Sequence, residues 1–215
     1  MSETTNQNTT TNTQKKNAKT NEFVNEVAIQ GRLIHKYSTE KTTILTVNVG
    51  RPGTTPDYPK IVFFGPAKED AAKYETGSFV KITGNIQSSK KNPNIKNQVL
   101  VSIFGESISP AETQFEKDFD VPGIYAPIVN HFRLAGNIVS VDIPSKNVAR
   151  FTVRCHTNGH LSLIPIVYFS KDPAKVVAEH LPGTFVRAYG SVQTSKTVKN
   201  GASRYYQSYI ATELQ

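Results

Sequence analysis

Y-P-K-I-V-F-F-G, residues Tyr58 to Gly65, reads as a β-strand running into a turn. Strand parity puts Ile61 and Phe63 on one face and Tyr58, Lys60, Val62 and Phe64 on the other. The stretch returns 105 positions later as L-I-P-I-V-Y-F-S, Leu163 to Ser170. An Ala-rich segment follows each copy, and then a glycine-bearing strand: S-F-V-K-I-T-G-N-I at Ser78 to Ile86 and T-F-V-R-A-Y-G-S-V at Thr184 to Val192. One unit has been written twice. A period this long indicates two domains, since solenoid units run about 20 to 50 residues.

Working outward, the first unit opens with N-E-V-A-I-Q-G-R-L-I, in which Val27 and Ile29 alternate with polar or small residues. Gly31 is expected to mark a bend or bulge. Ile44 to Val49 is the second strand, with Leu45, Val47 and Val49 on one face, and Arg51 to Asp57 is a turn-rich loop. After the central strand, Ala67 to Glu75 favours a short helix. Phe79 to Ile86 is the fourth strand, Ser88 to Asn94 a basic hairpin loop, and Gln98 to Phe104 the fifth strand.

The second unit repeats this order. N-H-F-R-L-A-G at Asn130 to Gly136 matches Asn25 to Gly31, and Phe151, Val153 and Cys155 form one face of its second strand. Leu163 to Phe169, a helix over Lys171 to Leu181, Phe185 to Val192, a basic loop from Ser195 to Gly201, and Arg204 to Glu213 complete it. Five short strands need closure to hide their edges, and the one helix lies between the third and fourth. The expected fold is all-β: two tandem five-stranded OB-fold barrels, one over residues 22–104 and one over 130–215, with another small β-barrel as the alternative that the same pattern allows. Residues 105–129, rich in proline and acids, are expected to be a linker. The Thr- and Asn-rich residues 1–21 are expected to be a disordered leader.

The formal charge of +8 is unevenly spread. The first unit carries eleven basic and seven acidic side chains and the second ten and four, whereas residues 105–129 carry one and five. Basic units suit a polyanionic partner. A single cysteine excludes an internal disulfide framework and fits a reducing compartment. No apolar run approaches the ~18 residues of a membrane span. These features lead us to expect a cytoplasmic protein without a membrane partner. No phosphate-cradling glycine loop, nucleophile with a base, or small-molecule site is evident, so no enzyme activity and no cofactor are expected. Cys155, His156 and His160 have metal-ligand types, but no fourth ligand is evident.

The repeated pattern N-x-V-x-I-x-G-x-L, I-V-F-F-G and G-S-F-V-x-I-x-G-x-I resembles the bacterial single-stranded DNA-binding protein family. The first unit follows it closely, and the second has Ser170 in place of a glycine. The resemblance implies sequence-independent binding of single-stranded DNA, with bases stacked on aromatic side chains along a basic groove. By position it carries stacking roles to Tyr58 and Phe64, and in the second unit to Phe169, with Leu163 at the remaining place. The family's aromatic position after the fourth strand holds Lys91 here. Tyr205, Tyr206 and Tyr209 are candidate replacements for the platform lost at Leu163. Lys60, Lys81, Lys90, Lys91, Arg154, Arg187, Lys196, Lys199 and Arg204 are the candidate phosphate contacts. The sequence closes with A-T-E-L-Q directly after the last strand, where the family carries a tail with an acidic, apolar tip. That suggests an accessory role on a plasmid, phage or transposon. Two OB-folds per chain suggest a homodimer. Two other readings stay open: a tandem OB-fold module for protein partners, and a single-stranded RNA binder.

Overall fold

The computed structural model describes residues 22–50, 55–90, 99–112, 114–115, 124–125, 129–199 and 202–215. The expected leader, Lys91 and most of residues 113–128 lie outside them.

The first unit consists of β1 (Val24–Ser38), β2 (Thr42–Asn48), β3 (Lys60–Phe64), helix α1 (Gly65–Ala72), β4 (Phe79–Lys90) and β5 (Val99–Pro110). β3 has the alternation expected of it: Ile61 and Phe63 are fully buried, while Lys60 and Phe64 face out. It pairs antiparallel with β2, matching Thr46 to Lys60 and Thr42 to Phe64. Its other edge pairs parallel with β5 through Ile61 and Ile103. β5 pairs with β4, and β4 with β1, which returns to β2. The ring therefore closes, and closure removes the unpaired backbone that an open sheet of five short strands would leave at its edges.

A two-residue pair, β6 (Gln114–Phe115) with β7 (Ile124–Tyr125), separates the units. The second unit has β8 (Val129–Ser145), β9 (Val148–Thr157), β10 (His160–Phe169), α2 (Pro173–Glu179), β11 (Phe185–Lys199) and β12 (Ala202–Leu214). The same ring closes here, with a parallel pairing of Ile166 and Tyr209 between β10 and β12. The fold is thus all-β, two five-stranded OB-fold barrels each carrying one short helix.

Several expectations need correction. β5 does not stop at Phe104 but runs to Pro110, paired with β4, so the expected linker begins as strand. The second basic loop is also largely strand. β11 and β12 continue as paired arms out to Lys199 and Ala202, and Ser88 to Lys90 likewise belong to β4. Gly31 is not itself the bulge, because the register shift in β1 falls between Leu33 and His35. Glycine is required there by a close approach, since a Cβ would sit 2.2 Å from the Asn48 carbonyl oxygen.

The two barrels are joined by backbone. The first half of β1 pairs with β4 on one edge and with β8 on the other, from Val24 opposite Ala135 to Gln30 opposite Val129. At the centre Val27 faces Phe132, its own counterpart at the offset of 105. The ladder is therefore self-complementary and lies on a pseudo-twofold axis. Buried side chains of both barrels merge into one contiguous core.

The repeated Asn-x-Val motif acts beside this ladder. The Asn25 Nδ2 donates to the Ile86 carbonyl at 2.7 Å, and its Oδ1 accepts from the Ile86 N–H at 2.9 Å. Asn130 clasps Val192 in the same way at 2.8 and 2.9 Å. Each amide thus takes the place of a backbone rung where β1 or β8 turns from its own barrel toward the other. Asn25→Ala would leave a buried donor and acceptor without partners. The expected cost is about 2–4 kcal/mol, read as a lowered urea midpoint.

Candidate nucleic-acid interface

The entry to β3 is set by the second barrel, because the amides of Tyr58, just before the strand, and of Lys60, at its start, are bonded outside their own unit. The Tyr58 N–H donates to Thr194 Oγ1 at 2.8 Å, and the Lys60 N–H to Gln207 Oε1 at 3.0 Å. Asp57, buried beside them, accepts from the Thr194 N–H at 2.7 Å. These contacts hold β3 against the β11–β12 arm. A groove of about 320 Å³ opens along the seam, lined by Ile34, His35, Thr46, Tyr58, Lys60 and Tyr205. Tyr58 and Lys60 come from the first barrel and Tyr205 from the second. Two phenol rings and an ammonium group thus converge on one open cleft. A planar, partly apolar ring bearing a phosphate is the kind of ligand that such a set can hold.

Tyr205 is half exposed, directly opposite Lys196 in the β11–β12 ladder, and the Lys196 Nζ lies 5.9 Å from the centre of its ring. Tyr206 projects from the other face of the same arm and is equally exposed. Both faces are open because the arm extends past its barrel. Tyr209 belongs to neither face. It is buried edge-on against Phe132 with its hydroxyl accepting from Gln207 Nε2, and burial raises its pKa. It is a core residue and not a platform.

At the far end of β3, Phe64 is 46% exposed and stacks on Phe104 with centroids 5.4 Å apart and planes 15° apart. One face of the ring is backed by the protein, which holds the ring in a fixed plane. Phe169 is 60% exposed at the matching place on β10, beside a shallow depression formed with Asn147, Ser170 and Lys171.

The candidate cations do not converge as one set. Lys60 stands in the groove. Arg154 is exposed on β9, directly opposite Leu163. Lys81 is exposed, but on β4 between Gln30 and Ser109, with β5 standing between it and β3. Arg187 is half-buried on the β8–β11 wall over the ring of Phe185, 5.4 Å from its centre. Lys81 and Arg187 therefore do not share a wall with the groove. Lys90, Lys199 and Arg204 occupy strand positions near the tips of the two arms. Alternation within a strand cannot show which wall of a barrel its outer face joins, and that is why these residues looked alike in the sequence.

Sequence reasoning missed the reciprocal clasp. The Leu163 N–H donates to Ser88 Oγ at 2.8 Å, repeating the Tyr58–Thr194 bond across the axis. Ser162, buried at the place of Asp57, accepts from the Ser88 N–H at 3.3 Å. The available signal was the recurrence of a hydroxyl residue, Ser88 and Thr194, at matching places in the two units.

Cys155 is fully buried, and its thiol donates to the Ala135 carbonyl at 3.0 Å. Burial pushes that thiol up to about 12. His156 is exposed and pairs across the ladder with Leu161, while His160 contacts the Ser88 carbonyl. Among the described residues no group of three or more ligand-type side chains could hold a metal.

No protein-family profile matches the sequence, and no curated protein sequence matches it. Solved structures do match. A deletion variant of the single-stranded DNA binding protein from Thermus aquaticus aligns at a TM-score of 0.62 and 16% identity, covering 90% of this chain and 94% of that one. The wild-type Thermus aquaticus protein aligns at 0.58 and 16% identity, covering 90% and 92%. At such identity the likeness shows a shared fold, and it extends over both barrels.

Cys155 gives a check on the packing at the seam. In the native protein it should resist iodoacetamide at mildly alkaline pH and react promptly in urea. Its folded pKa lies above its unfolded one, so the associated stability is whole below about pH 9.0 and is lost as pH rises toward about 12. Tyr209 acts in the same direction. Urea midpoints measured between pH 8 and pH 10 should fall at the alkaline end.

Proposed function

We propose that this protein binds single-stranded DNA without reading its sequence. Bases stack on Tyr58, Tyr205, Phe64 and Phe169, and Lys60 and Arg154 contact the backbone. One observation carries the reading: Tyr58, Lys60 and Tyr205 meet in an open groove at the seam of two basic barrels. Every base presents a π-face, so stacking tolerates any sequence. In a duplex those faces are already covered, so exposed platforms favour a single strand. The fold shared with the Thermus aquaticus single-stranded DNA binding protein supports the same reading. The proposed role is protection of exposed strands and removal of their secondary structure. The assembly we propose is a homodimer. Light scattering should then give about twice the chain mass of 23.7 kDa, and a mass near that of one chain would overturn the dimer.

The binding test is fluorescence anisotropy of labelled oligo-dT, a matched duplex and oligo-U, at about 50 and 200 mM salt. Oligo-dT should bind tightly, less so at the higher salt, with the duplex much weaker. Tyr58→Ala and Phe64→Ala should each cost about 1–3 kcal/mol of affinity. Equal weak binding to all three probes would reduce the basic surface to non-specific charge. Preference for oligo-U would move the assignment to RNA.

A further inference from the structure

The pseudo-twofold axis creates two seams, and among the described residues only one of them brings tyrosines together. The backbone frame is the same at both. His35 pairs with Thr46 on one side and Ser140 with Thr152 on the other. Lys196 pairs with Tyr205, and Lys90 with Val99. The N–H groups of Tyr58 and Leu163 each donate to the opposing hydroxyl at 2.8 Å. The side chains placed on this frame differ. Where the first seam has Tyr58 and Lys60, the second has Leu163 and Pro165. Its charge sits elsewhere: exposed Arg154 is directly opposite Leu163, whereas the first seam has Asn48 at the place equivalent to Arg154.

We infer that the two seams divide the work of binding, with the Tyr58–Tyr205 groove stacking a base and the Leu163 seam holding backbone phosphate through Arg154. This rests on the reading of the protein as a single-strand binder. The physical ground is simple. A leucine offers no π-face, so the second seam has no platform at the place of Tyr58. A guanidinium beside it still attracts a phosphate and releases a counterion. Tyr205 is a specificity element that the first barrel cannot supply for itself. The groove is complete only because the second barrel lends its arm.

The test compares oligo-dT with an abasic oligomer of equal length, using the full chain. Intrinsic emission comes from nine tyrosines and no tryptophan, so the share of oligo-dT quenching lost in the Tyr58 and Tyr205 variants reports the groove. Tyr58→Leu and Tyr205→Val should each weaken oligo-dT about tenfold and leave the abasic oligomer unchanged. Tyr58→Phe should keep the affinity of the wild type, which separates loss of a ring from loss of folding. Leu163→Ala should change neither probe by more than about twofold. Arg154→Gln should weaken both probes equally and lower the salt slope by about 1. Leu163→Ala costing as much as Tyr58→Leu would overturn the division while leaving single-strand binding in place. So would an equal loss on both probes in the tyrosine variants. A wild-type protein that binds neither probe would overturn the single-strand reading itself.

Discussion

The structure depends on how β1 spends its two edges. A barrel strand is ordinarily bonded on both sides within its own ring. Here the first half of β1 keeps β4 on one edge and gives the other to β8, and β8 does the same in return. The backbone rung that would be lost beyond this ladder is replaced by the amide of Asn25, and across the axis by that of Asn130. Once the ladder is fixed, little freedom remains between the barrels. Tyr58, just before β3, and Leu163, at the matching place in β10, are each brought against the opposing arm, where a hydroxyl, Thr194 or Ser88, accepts from the backbone N–H. The backbone of Tyr58 is thus held by the Thr194 hydroxyl of the other barrel.

Much of this was legible in the sequence. The repeat, the alternation through Ile61 and Phe63, and the helix between the third and fourth strands follow from local patterns, and local patterns determine which side of a strand is buried. The exposure of Phe64 and Phe169 follows from the same parity. What parity cannot give is the neighbour from another strand. Tyr205 and Tyr206 read as alternate faces of one strand, and nothing near them in sequence says that Tyr205 meets Tyr58. Lys81 and Arg187 read like Lys60 because each is a basic residue in an alternating strand. The order of strands around the ring separates them. Tyr209 was grouped with its neighbours by type, although it lies in register with Ile166 and inside the barrel. The asparagines were visible as a motif, but their work is done on a strand some sixty residues away.

Small differences between the copies carry much of the chemistry. Asp57 and Ser162 stand at matching places, both buried, and each accepts the same backbone amide from the other barrel. A carboxylate there makes a charge-assisted, shorter bond, 2.7 Å against 3.3 Å. The tighter contact lies on the side of the aromatic groove. The sulfur of Cys155, buried on β9, also lies 3.4 Å from the Val24 carbonyl oxygen. The barrels are therefore in contact through packed atoms as well as through hydrogen bonds.

A dimer of identical subunits cannot tell its left side from its right. A nucleic-acid strand laid across a true twofold axis can be reversed, 5′ end for 3′ end, and meet the same groups. Joining the two barrels in one chain removes that equivalence, because each copy can then change alone. With Tyr58 and Tyr205 on one side and Leu163 and Arg154 on the other, the two directions of a strand are physically different. A strand entering by its 5′ end meets ring and charge in one order, and a strand entering by its 3′ end meets them in the other. If the protein binds a single strand as proposed, the covalent link between the barrels gives each chain the means to orient it.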